Sequence, residues 1–392
     1  MADSLRAGRR GELALIEQIR GQAAKTLSGG VRLGIGDDCA LLRLRTGEEL
    51  AVTTDLSIAG RHFRLDWHPP ETIGHRALAR GLSDLAAMGA RPVAAFLSLG
   101  LPPELTRPAA RGQSWSSAWI TRFYDGLLTL AEAHNTPLAG GDLAESPLAV
   151  ADIVLVGAVP RGKALLRSGA KAGDLLYVTG ALGGAAAGLA RLAELAAAPR
   201  TAQSQHPRKR PLKIPKTLAP LLAPHLYPQP RIAQGLWLQR RGLATAAIDL
   251  SDGLSTDLAH LCEESGVAAE VDAGLLPIHP AAHLAQALDG GEDYELLFTA
   301  PQSARMPHAI SGVPVTCIGR IVRRRQSSPL VTLVTSQGKQ PLEPRGWQHF
   351  SYETSEEVHA LKGTGFSPYI NPATLTRLYR MRKTRSGGRP GF

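Results

Sequence analysis

Short apolar runs of strand type alternate along this chain with longer Ala- and Leu-rich stretches at helical spacing. The runs at 50–55 (LAVTTD), 93–100 (VAAFLSLG), 151–159 (ADIVLVGAV), 174–179 (DLLYVT), 245–250 (TAAIDL) and 294–299 (YELLFT) predict strands. Residues 71–89 predict a helix that carries Ile73, Ala77, Leu78 and Leu82 on one face. A second helix is predicted over 118–134, ending before Asn135 and Pro137, and a third begins at Leu182. This alternation belongs to the α/β or α+β class. It pauses at 160–173 (PRGKALLRSGAKAG) and then resumes, which predicts two domains, 1–160 and 161–350.

Composition narrows the picture. The 392 residues are 44% hydrophobic and 20% charged, as in ordinary globular proteins. No signal peptide or membrane span is predicted, and Cys39, Cys262 and Cys317 are neither paired nor arranged as CxxC, which suits a reducing cytoplasm. The net charge of +10 suggests nucleic acid until it is located. A basic Pro-rich stretch at 196–220 and the segment 351–392 carry the whole excess. The first reads as a surface insertion and the second as a poorly ordered tail, and no interleaved aromatics accompany Arg208–Lys216. A noncatalytic polyanion-binding protein would leave the ordered acids of the rest of the chain unexplained.

Those acids are the main chemical signal. Asp37 and Asp38 (GIGDDCALL), Asp55 (TTDLSIAGRHF), Asp84 (LSDLAAMGA), Asp142 (LAGGD), Asp249, Asp252 and Asp257 (IDLSDGLSTDL), and Glu292 and Asp293 (GGEDYELLF) recur where strands are expected to give way to turns or helices. One such Asp is a common helix N-cap, and Asp252 suits that role best because a helix is predicted from Leu254. The number of acids exceeds what capping needs. Clustered carboxylates repel unless protonated or metal-bound, and hard oxygen donors without Cys or His pairs favour Mg²⁺. Magnesium on carboxylates commonly bridges to phosphates, which points to phosphoryl transfer. No GxxxxGK[ST] is present, and the glycines of VTGALGGAAAGL are as well explained by close helix packing as by a phosphate cradle.

In the order GIGDDCALL, TTDLSIAGRHF, LSDLAAMGA, LAGGD, LLRSGAKAGD, AIDLSDGL, GGEDYELLFT, with GWQHF after them, the motifs resemble the thiamine-monophosphate kinase family, from about Gly11 to Phe350. The resemblance implies a dimer of two-domain subunits of the aminoimidazole ribonucleotide synthetase-like architecture, joined through the N-terminal domain, with ATP and several Mg²⁺ ions. It implies metal ligation by Asp38, Thr53, Thr54, Asp55, Asp84, Asp142, Asp249 and Asp252. ATP contacts fall on Gly141, Asp142, Arg167 and Ser251, and contacts to the thiamine part on His62, Glu292 and Trp347. Catalytic weight falls on Asp142, Arg167 and Asp252. The nucleophile would be a phosphate oxygen, ionised at neutral pH, so no general base is needed. Three features depart from the pattern: Leu143 where Thr commonly follows GGD, the 196–220 insertion, and the tail after Phe350.

Other members of the superfamily fit less well. Selenophosphate synthetase would want a reactive cysteine near the N-terminus, yet residues 1–30 hold none. The hydrogenase-maturation relative would end in a functional cysteine, whereas this sequence ends Gly-Phe. Aminoimidazole ribonucleotide synthetase shares the fold, but GRHF, GGEDYELLF and GWQHF favour the thiamine enzyme.

Overall fold

The computed structural model describes residues 12–23, 30–106, 118–197, 212 and 214–347. The tail 351–392 and much of the 196–220 stretch lie outside the described residues. Eight helices are described: α1 (Glu12–Ala23), α2 (Pro70–Ala87), α3 (Trp119–Ala133), α4 (Gly184–Ala197), α5 (Ala219–Leu226), α6 (Ile232–Arg241), α7 (Leu254–Ser265) and α8 (Leu284–Asp289). The first half adds a two-stranded hairpin, β1 (Val31–Leu33) with β2 (Leu41–Leu42). It also holds a four-stranded sheet of β3 (Glu48–Ile58), β4 (Arg91–Leu101), β5 (Leu138–Glu145) and β6 (Val150–Pro160), in the order β3-β6-β4-β5. The second half builds a larger sheet from β7 (Leu175–Thr179), β8 (Ala246–Asp249), β9 (Ala268–Asp272), β10 (Leu296–Ala300), β11 (Ala309–Ile310), β12 (Val313–Val322), β13 (Val331–Thr335) and β14 (Gly338–Pro341). Its path runs β14-β13-β9-β12-β7-β10-β8, with β11 on β12. Parallel pairing between strands is confined to β4–β5 and β9–β13, so among the described residues the architecture is mixed and mainly antiparallel.

Helix α2 organises the site. Proline at its first position fits a helix start, where the missing N–H costs nothing, and the helix is buried on nearly all sides. It packs on β3 and β6 of the small sheet and on β8 and α6 of the second half. Small residues permit this crowding. A Cβ on Gly74 would fall 1.9 Å from the Phe123 carbonyl oxygen, and one on Gly126 1.8 Å from that of Glu71. One apolar core therefore joins Leu82, Leu97 and Leu155 to Leu296 and Phe298 of the large sheet.

Pairing fixes which side each residue takes. Asp55, Ile153, Leu97 and Gly141 form one row across the small sheet, on the face that α2 covers. The next row, Leu56, Asp152, Ser98 and Asp142, belongs to the opposite face, where Leu50, Val52 and Leu56 are exposed. Asp55 and Asp142 thus lie within strands, not at strand ends as the sequence pattern suggested; their neighbouring polar residues disguise continuous pairing. The distal part of the 196–220 stretch also differs from a solvated loop. Leu212 is buried with Trp67, Leu192, Leu222 and Leu226, and Ile214 and Leu218 pack against them.

Candidate active site

The inner face of β3, helix α2 and the end of β8 bring acids together. Ser83 on α2 donates its hydroxyl to Asp249 Oδ2 at 2.7 Å, and Thr53 donates to Asp84. Arg80 Nη2 lies 3.5 Å from Asp55 Oδ1. Burial pushes the Asp55 carboxyl up to about 6, with Asp84 adding to the rise and Arg80 opposing it. Asp84 is raised by burial against the Thr53 hydrogen bond, and Asp249 is raised by burial and then by the charges of Asp84 and Asp257. These three acids share one low-dielectric space with too little positive charge to balance them.

A second wall comes from the turns after β8 and before β10. Gly253 N-caps α7 without a side-chain bond, so Asp252 is not the N-cap that the sequence suggested. Asp257, one turn inside the helix, folds back to accept the N–H groups of Asp252 and Gly253, both at 3.0 Å. It is buried, and burial together with the Asp252 charge pushes it up to about 7 while Arg167 opposes the rise. Asp257 thus has a structural capping role at the Asp252 turn. The Glu292 and Tyr294 N–H groups bond the Ser251 and Leu250 carbonyls at 2.8 and 2.9 Å, which laces GGEDYE to IDLSDG. The Trp347 N–H reaches the Asp252 carbonyl at 3.0 Å and brings the chain's late segment to the same turn.

Glu292 adopts a left-handed backbone (φ 67°), and its carboxylate is engaged from within the protein. Arg76 Nη2 donates to Oε1 at 2.5 Å and His225 Nδ1 lies 3.4 Å from Oε2. Arg76 leads in holding the Glu292 carboxyl well below the usual range against its burial. Beside this cluster a small recess is lined by His62, Phe63, Ile73, Arg76, Ala77 and Arg80. The His62 ring itself is oriented by the Ile58 N–H, which donates to Nδ1 at 3.0 Å.

The structure therefore gathers Thr53, Asp55, Asp84, Asp249, Ser251, Asp252 and Trp347 around one region, with Arg167 reaching Asp84 and Asp257 by charge and Glu292 and His62 at its margin. It places Thr54 and Asp142 on the opposite face of the small sheet, and Asp38 in the exposed turn of the β1–β2 hairpin. Gly141 shares the inner row with Asp55, and a Cβ there would fall 2.0 Å from the Leu97 carbonyl oxygen. The glycine turn at 180–184 is no phosphate cradle, because Asp293 already accepts the Gly183 and Ala185 N–H groups at 2.6 and 3.0 Å. Sequence reasoning missed Arg76, Arg80 and Ser83. The signal was available: Arg76, Arg80 and Asp84 recur every four residues among alanines and leucines, which puts them on one stripe.

Among the described residues no three or more His, Cys, Asp or Glu side chains form a finished metal cage. The donor chemistry nonetheless suits Mg²⁺: the half-buried Asp55 and Asp84 and the buried Asp249, each held in charged form at a desolvation cost, are hard oxygen ligands that a small divalent ion would stabilise in charged form.

Similarity to known proteins agrees with this architecture. Residues 36–162 match the family described as AIR synthase related protein, N-terminal domain, and residues 171–307 match its C-terminal counterpart. That defines the class as the two-domain AIR synthase-like fold. The thiamine-monophosphate kinase of Escherichia coli strain K12 is 40% identical over 335 residues, covering 82% of this chain and 93% of that protein. The crystal structure of thiamine-monophosphate kinase from Stenotrophomonas maltophilia K279a is 38% identical, covers 82% of this chain and 96% of its own, and superposes with a TM-score of 0.65. AaThiL, solved in complex with AMPPCP and TMP, is 29% identical with a TM-score of 0.63, over 87% of this chain and 97% of its own. The chain belongs to the thiamine-monophosphate kinase family.

Proposed function

We infer that this chain transfers the γ-phosphoryl group of ATP to thiamine monophosphate, giving thiamine diphosphate and ADP. The observation that carries the reading is the convergence of Asp55, Asp84 and Asp249, from three elements, on one buried and under-neutralised space. Relatives bearing that activity in their names, matched over 93% and 94% of their length, support it.

Asp55, Asp84, Asp249 and Asp252 would hold Mg²⁺, with Thr53 beside them. Bound there, Mg²⁺ supplies charge neutralisation where two polyanions must meet. The residues of the chain do the rest by placement. Asp257 fixes the Ser251–Asp252–Gly253 turn through two backbone N–H groups, so that Ser251 and Asp252 face the nucleotide in one conformation. Arg167 adds positive charge next to Asp84 and Asp257. His62, Glu292 and Trp347 take the thiamine part, where a cationic ring suits both a carboxylate and an indole face.

We further propose a homodimer through the first half of the chain. The exposed Leu50, Val52 and Leu56 on β3, an edge strand of the small sheet, support it. A second copy over that face would also cover Thr54 and Asp142, which gives those two candidate ligands and Asp38 a place at a shared seam. Two units that divide at the connector after Pro160 suit this arrangement, with 1–160 carrying the seam and 161–350 the second sheet. A cytoplasmic location suits three unpaired thiols and ATP as donor, and among the described residues no helix is long and apolar enough to cross a membrane. Nucleic acid has no part in the reading.

The testing experiment is incubation with ATP, Mg²⁺ and thiamine monophosphate, with free thiamine and no acceptor in parallel. Thiamine diphosphate is expected only in the first. Asp252→Asn should abolish turnover with little change in folding, and near-wild-type activity in that variant would contradict the assignment.

A further inference from the structure

Two arginines of α2 line the recess beside the acids, and the structure uses them differently. Arg76 is engaged from within: its Nη1 lies 3.1 Å from Nε2 of both His68 and His225, and its Nη2 donates to Glu292. Only 7% of its side chain is exposed. Arg80, one turn further along, has a single ion pair among the described residues, to Asp55 at 3.5 Å. Charge-assisted bonds are normally about 2.7–2.9 Å, so this contact is loose. A guanidinium carries five N–H donors in a planar fork, and Arg80, which lines the recess with Arg76, keeps 18% of its side chain exposed.

The position of Arg80 is specific. It pairs with Asp55, one of the acids that suit a cation, and lines the recess together with His62. Ile73, Arg76, Ala77 and Arg80 recur at helical spacing, so the floor of the recess is one face of one rigid helix. An acceptor carrying a phosphate brings a group that a planar fork matches in geometry and charge; the corresponding free alcohol brings none.

We propose that Arg80 is the specificity-determining residue for the acceptor: it binds the phosphate of the incoming phosphomonoester and selects it over the unphosphorylated alcohol. This inference rests on the kinase reading above. A bare counter-charge to Asp55 and Asp84 is the competing role, and the two roles separate by ligand. A counter-charge alters the need for Mg²⁺; a phosphate-binding group alters affinity for the acceptor only when the acceptor carries phosphate.

The test uses the full chain and Arg80→Gln, with calorimetric titration of thiamine monophosphate and of free thiamine, and steady-state kinetics with ATP and Mg²⁺. Arg80→Met, which keeps the aliphatic stem, is read in the same way if the Gln variant loses its folded circular dichroism spectrum. Thiamine monophosphate should bind about tenfold more weakly or worse in the variant, with affinity for thiamine and KM for ATP unchanged within about twofold. The proposal is overturned if thiamine monophosphate binds as in the wild type, if both ligands weaken equally, or if only the Mg²⁺ requirement moves. A wild-type protein that prefers thiamine monophosphate in titration but forms no thiamine diphosphate would count against the kinase reading and leave the Arg80 assignment standing.

Discussion

Asp55, Asp84 and Asp249 face one another across β3, α2 and β8 with Arg80 at 3.5 Å from Asp55 and hydroxyls from Thr53 and Ser83. Glu295, on the far side of the same region, is clamped by Arg231 through two bonds of 2.5 and 2.6 Å and takes a third from Thr179 at 2.7 Å. Both centres hold acids largely withdrawn from solvent, Asp249 and Glu295 fully and Asp55 and Asp84 in part. One is left short of positive charge and its carboxyls are pushed upward; the other is closed by its own cation. A protein that needed only stability would close both. The open centre is where the proposed Mg²⁺ would sit, and the closed one ties Glu295 to Thr179 and Arg231.

Variants should separate the two centres. Asp84→Asn keeps the shape, removes one of the crowded charges and is expected to lower the kinase rate at least about 10³-fold, with urea-unfolding stability equal to or above the wild type. Arg231→Met is expected to do the reverse to stability. It leaves Glu295 buried without its partner and should cost about 3–5 kcal/mol in the same unfolding experiment. Loss of stability in the first variant and none in the second would dissolve the distinction.

Magnesium should act on the open centre alone. At a hundredfold excess over its dissociation constant the ion is expected to stabilise the wild type by about 2.7 kcal/mol, read as a rise in thermal midpoint that a chelator reverses. Asp84→Asn should lose most of that rise and Arg231→Met should keep it.

A pH-dependent effect concerns Asp293, which caps the glycine turn. Burial pushes its carboxyl up to about 7, above the ordinary value of about 3.9 in an unfolded chain. The folded state therefore holds this proton more tightly. The stabilising contribution is full below about pH 4 and is lost as pH rises through about 7. Asp293→Asn should remove up to about 1.4 kcal/mol per pH unit of decline across that window, checked by unfolding midpoints between pH 4 and 8.

The helices and strands were legible wherever the period was clean. The predicted helix at 71–89 forms as Pro70–Ala87, and the run at 151–159 forms as Val150–Pro160. Strand β5 was hidden because LAGGDLAE is rich in glycine and acid, and its pairing with β4 is a tertiary fact. The site acids were legible by type and by motif order. Their distribution over two faces of the small sheet was not, because it depends on the register that sets Asp55 in one row and Asp142 in the next. Asp257 shows the same limit. Its distance from Asp252 in sequence says nothing about a side chain that folds back to cap its own helix. The engagement of Glu292 by Arg76 and His225, partners far away in the chain, had no local signal at all.

The activity inferred for this chain is phosphoryl transfer onto a phosphate. Phosphorus NMR of a mixture of the protein, ATP, Mg²⁺ and thiamine monophosphate tests it most directly. Thiamine diphosphate and ADP are expected in equal amounts, with neither product when thiamine replaces the monophosphate. ADP and inorganic phosphate without thiamine diphosphate, or phosphorylation of free thiamine, would contradict it.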